Sequence, residues 1–173
     1  MARFQAKTAG HEGQIFAHLP FDPQKDEDRL AADGVSCSLC HQITKDKLGT
    51  RESFVGGFAV DTTKPKGERA EYGPFEVDAG HARIMRSSSG AFQPTGSEHI
   101  RKSEVCGTYH TLYTKALSPQ GKVVGELPEQ MPYQEWFHSG FRNTQSCQSC
   151  HMAVVEEPVP VTSVFGEPRE GVS

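Results

Sequence analysis

Two five-residue stretches constrain this chain more than anything else in it: Cys37-Ser38-Leu39-Cys40-His41 and Cys147-Gln148-Ser149-Cys150-His151. Both have the form Cys-x-x-Cys-His. A third stretch, Cys106-Gly107-Thr108-Tyr109-His110, keeps the first cysteine and the histidine in register but has a tyrosine where the second cysteine would stand. On a helical turn, two cysteines three positions apart reach the two vinyl groups along one porphyrin edge, and the next residue aims an imidazole at the iron. This is the spacing that attaches a c-type haem.

Two other chemistries use paired cysteines. A zinc ribbon sets its knuckles roughly 15–20 residues apart, whereas most of the chain separates Cys37 from Cys147, so the spacing gives zinc no support. A thioredoxin-like redox pair needs no histidine after its second cysteine. Both full copies have one, in a chain with 8 histidines among 173 residues. All five cysteines lie in the three motifs, so none is left for a separate structural disulfide.

The length suits one domain spanning 1–173. Only 35% of the residues are hydrophobic, and 17 glycines and 11 prolines add turns rather than core. The expected fold class is therefore mainly irregular, with short α-helices and a small β-hairpin packed around covalently attached haems. A formal charge of −4 with no basic patch argues against nucleic acid and fits a solvated surface or steering of a basic redox partner. No apolar run approaches about 18 residues, so no membrane span is expected. Met1-Ala2-Arg3-Phe4-Gln5 leads into polar sequence without the apolar stretch of a signal peptide. Thioether attachment normally follows export, so the expectation is a mature or internal piece of an exported protein.

In chain order, residues 1–34 are polar and carry His11 and His18, each a surface histidine or a sixth iron ligand. Asp26 to Gly34 reads as a short helix closed by Gly34. Ser53 to Val60 and Glu71 to Val77 carry strand signals and are expected to pair as an antiparallel hairpin, either a prop on a haem face or a plain surface element. His81 and His99 each begin a stretch able to form a turn of helix and are the first candidates for distal ligands. Arg83, Arg86 and Arg101 suit haem propionates or plain solvation, and Met85 a thioether ligand or the core. Residues 115–127 read as a loop with a turn at Ser118 to Gly121. Pro132 starts a helix with Gly140 as its stop, and Tyr133, Trp136 and Phe137 share one face of it. His138 points elsewhere on that helix, and Met152, beside His151, cannot reach round to the same iron. The tail is expected to be extended, with no closing element.

The stretches Asp33 to His41, Ser103 to Tyr113 and Pro128 to Trp136, with Gly73-Pro74-Phe75 ahead of His81, resemble a family of periplasmic or extracellular multihaem c-type cytochromes. The resemblance covers most of residues 33–157. In that family the middle segment is a full haem motif, so Tyr109 is a departure. Family members are longer at both ends, which implies that this chain is a fragment lacking flanking haem segments and some sixth ligands.

Two haems are thus expected, on Cys37, Cys40 and His41 and on Cys147, Cys150 and His151, with a third, atypical one at Cys106 and His110. The expected activity is electron transfer between redox partner proteins, because irons with two protein ligands change oxidation state with little rearrangement. The alternative is a multihaem oxidoreductase with one open-site haem acting on a small inorganic substrate. Neither sequence nor resemblance sets an oligomeric state. Because so much of the core is expected to be porphyrin, the haem-free chain should show no cooperative thermal transition by circular dichroism; a sharp, reversible melt would contradict this.

Overall fold

The structure, a computed structural model, describes residues 10, 19–65, 67–90, 92–152, 159–164 and 167–171. His11 and His18 lie outside the described residues. Short helices alternate with three separate two-stranded sheets, and no helix among the described residues is long and apolar enough to cross a membrane.

Helix α1, Asp26–Asp33, has three acids in its first turn, where the helix dipole favours negative charge. It ends as expected at Gly34, whose φ of 76° a residue with a Cβ rarely adopts. After two residues, α2, Cys37–Gln42, carries the first motif on little more than one turn. Ile43 follows, fully buried, and forms an isolated bridge with Val60.

The antiparallel hairpin expected from Ser53 to Val77 is not formed. Arg51–Ser53 is a 3₁₀ turn, and Val55 adopts a φ of 56°. The amides of Val55 and Gly56 donate to the carbonyls of Thr111 and Thr108, at 3.1 and 2.8 Å, instead of to a strand. Strand β1, Ala70–Gly73, pairs in parallel with β2, Gln93–Gly96. Parallel neighbours need a crossover, and helix α3, Ala79–Ser88, supplies it; Asp78 caps its first turn by accepting from the amides of Gly80 and His81.

A 3₁₀ turn, Glu98–Arg101, leads into α4, Ser103–Gly107, which carries Cys106. Residues 115–127 are not a loop. Strands β3, Leu112–Leu117, and β4, Val123–Gln130, form an antiparallel hairpin around the expected turn, closed by Gly121 N to Ser118 O at 2.8 Å. Every residue of β4 is exposed, so it lacks the one-sided apolar alternation by which a strand is recognised. Helix α5, Pro132–Phe137, has Pro132 at its first turn as expected but ends before Gly140, which opens a further 3₁₀ turn, Gly140–Asn143. Helix α6, Cys147–His151, carries the last motif. Beyond it the tail is not simply extended: β5, Val159–Val164, and β6, Glu167–Gly171, pair antiparallel.

The buried apolar side chains among the described residues are Leu39, Ile43, Phe54, Val105 and Tyr133. They come from the first two motif helices, the turn between them and α5, so the small core is also what holds the motifs together. At its centre the Tyr133 ring packs against Phe54, centroids 5.7 Å apart, and against the bare Cα of Gly107. A Cβ on Gly107 would stand 2.8 Å from the ring's Cγ. Gly107→Ala is therefore expected to destabilise the exported, matured protein by about 1–3 kcal/mol, the usual cost of overpacking, as read by denaturant unfolding.

Candidate cofactor site

The first motif is held by the strand beside it. Ser38 Oγ donates to Glu71 Oε1 at 3.1 Å, and His41 Nδ1 bonds the carbonyl oxygen of Tyr72. A carbonyl only accepts, so the imidazole proton sits on Nδ1 and the Nε2 lone pair is left available. Iron-ligating and zinc-ligating histidines are oriented in this way, through a partner for the other ring nitrogen. Cys37 is exposed and Cys40 half-buried. Burial, then the neighbouring Cys37, raises the Cys40 thiol above its ordinary pKa.

The last motif is stapled to the middle one. Cys147 N donates to Ser103 Oγ at 2.9 Å, and Gln148 Nε2 donates to the carbonyls of Lys102 and Ile100 at 2.9 and 3.0 Å. Ser146 caps α6 by accepting from Ser149 N. Trp136 Nε1 donates to Gln145 O at 2.7 Å, setting α5 against the approach to α6.

These contacts bring the three cysteine stretches together. The thiols of Cys147 and Cys40 are near enough to Cys106 to act on its ionisation. Burial above all, with those two neighbours, pushes it up to about 11. A cavity of about 660 Å³ opens between the middle and last motifs. Cys106, His110, Cys147, Cys150 and His151 line it, and Tyr133 and Trp136 form an aromatic wall. Neither the His110 nor the His151 ring makes a hydrogen bond among the described residues.

Tyr109, in the place of a second thiol, does not line that cavity. Its ring packs on Phe58, centroids 5.4 Å apart, and its hydroxyl is buried without a partner among the described residues. Burial, with Cys40 nearby, raises its pKa.

The two distal candidates fare differently. His99 is buried, with Nε2 donating to Ile43 O at 2.8 Å and Nδ1 accepting from Ser97 Oγ at 2.7 Å. Both nitrogens are committed, so His99 is placed as a structural residue, with Tyr72 edge-on to its ring at 4.8 Å. A more polar cavity of about 490 Å³ beside His99 contains none of the thiols. His81 is exposed on α3, with Nδ1 bonded to the Asp78 carboxylate, which leaves Nε2 available.

Of the remaining candidates, Arg101 donates to Pro74 O at 2.6 Å and lies over the Phe75 ring, and Arg86 reaches Gly67 O at 3.5 Å. Arg83 and Met85 are exposed on α3. His138 is exposed, edge-on to Phe137.

The donor set fits a c-type haem: two thiols and an imidazole on one helical turn, twice, with the first imidazole's tautomer assigned by Tyr72. Among the described residues no three His, Cys, Asp or Glu side chains close to a metal-ion cage, as the zinc alternative requires. A haem iron needs at most two protein ligands. Compared with known protein families, curated proteins and solved structures, the chain matches none.

The bond to His81, with the two amides of α3, holds the exposed Asp78 carboxyl at about 2. A lowered folded-state pKa contributes stability above the unfolded value and loses it as pH falls through the folded one. Carboxyl titration by NMR should place the Asp78 midpoint at about 2; an ordinary aspartate midpoint of about 3.9 would mean that the pairing is not made in solution.

Proposed function

We propose that the chain is an exported electron-transfer protein, periplasmic or extracellular, carrying c-type haems on Cys37, Cys40 and His41 and on Cys147, Cys150 and His151. It exchanges electrons with redox partner proteins, as a carrier or as a segment of a respiratory chain. The observation that carries this reading is that both Cys-x-x-Cys-His stretches fold as single helical turns, the second of them opening on an apolar cavity.

A haem held at each turn supplies a one-electron ferric–ferrous couple. The chain's own residues do the rest. Tyr72 holds the proton of His41 on Nδ1 and so keeps Nε2 free. Ser103 and Gln148 fix α6 against the start of α4, which sets the place of the second turn. Tyr133 and Trp136 give the second turn an apolar wall that limits water, one of the levers that tunes a potential.

The engagement of both His99 nitrogens favours a second reading, since it takes up one of the candidate distal ligands. In that reading the open side of the haem acts on a small inorganic substrate. Expression with export and haem-maturation machinery, followed by intact mass under denaturing conditions, tests the attachment on which both readings depend. Two covalent adducts per chain are expected. None in a competent host would overturn them.

A further inference from the structure

The middle stretch poses a question that haem attachment at the other two leaves open. It keeps a thiol and an imidazole in register, yet Tyr109 has replaced the second thiol. A haem of its own would need room beside Cys106 and an imidazole not already directed elsewhere.

Cys106 and His110 face a cavity shared with the last motif. Both line the space of about 660 Å³ that Cys147, Cys150 and His151 also line. That volume is within the roughly 300–1,000 Å³ of a site for a single ligand. Cys106 and Cys147 both line it, so the two stretches share one wall. Tyr109 turns out of the cavity onto Phe58. Meanwhile His110 and His151 come from two different elements, and neither ring is bonded to protein among the described residues.

Resting on the haem reading above, we infer that the middle stretch holds no haem of its own and that His110 is the sixth ligand of the haem carried by Cys147, Cys150 and His151. The site would then be bis-histidine, with one imidazole from each motif. Tyr109 is what releases His110 for this role, because loss of the second thiol removes two-point attachment at the middle stretch.

The test uses the full chain, exported and matured, with and without substitution of His110. Two adducts by intact mass are expected for wild type and for His110→Ala alike. The ferrous His110→Ala protein should take up one more equivalent of carbon monoxide per chain than wild type, because one iron has lost a ligand. His110→Met should keep the wild-type number of adducts and carbon monoxide uptake while one haem's reduction potential moves up, as methionine–histidine ligation does. Three adducts in wild type, or unchanged carbon monoxide uptake in His110→Ala, would overturn the inference and leave the haem reading standing. No adducts at all would overturn the reading itself. Should the alanine variant fail to accumulate, the methionine variant decides alone, and an unmoved potential counts against His110.

Discussion

The bond between His41 Nδ1 and the Tyr72 carbonyl ties the first motif to the rest of the molecule. It requires Tyr72 to sit in an ordered strand, and β1 takes its backbone pairing from its parallel partner β2. That pairing in turn depends on the α3 crossover. Immediately after β2, His99 reaches back to the carbonyl of Ile43, two residues past His41, and Tyr72 covers its ring. The result is a closed circuit: motif helix, strand, crossover, strand, buried histidine and back to the motif helix. Hydrogen bonds to carbonyls carry it, with Ile43 and Leu39 as its apolar filling. Replacing either histidine would leave a half-buried or buried carbonyl without its donor, the costly side of hydrogen-bond energetics.

How much of this is legible in the sequence depends on the range of the interaction. The motif turns, the stop at Gly34 and the aromatic face of α5 follow from residues within a few positions of each other, and reading along the chain reaches them. The partner of β1 does not follow, because the apolar residues of Ser53 to Val60 imitate a strand while the amides of Val55 and Gly56 go to Thr111 and Thr108. Strand β4 escapes notice for the opposite reason, being exposed along its whole length. His99 is singled out in the sequence as a candidate ligand, and in the fold its ring bonds Ser97 and the carbonyl of Ile43. Nothing near it in sequence shows that its partner is Ile43, and a buried, doubly bonded histidine looks like a free one until the fold is known.

The middle stretch shows how a degenerate motif can keep a structural purpose. Its helix supplies Ser103 to the amide of Cys147 and Gly107 as the surface on which Tyr133 lies, and Ile100 and Lys102 just before the helix supply carbonyls to Gln148. Thr108 is fully buried and bonds back to Val105 O at 2.8 Å. These contacts depend on the backbone and on small side chains, not on the second thiol. A tyrosine in that position is accommodated by Phe58 without disturbing them.

The sequence separations of these bonds also bear on the order of assembly. His41 waits for Tyr72, 31 residues later, and the carbonyl of Ile43 waits for His99, 56 residues later. Cys147 closes onto Ser103 across 44. Long loops must close before such contacts form, which places them late in folding. As the chain emerges from its N-terminal side, the thiols of the first motif are thus presented before their own histidine is oriented. The commitment of His41 to one tautomer and one direction is then a later event, set by the arrival of β1.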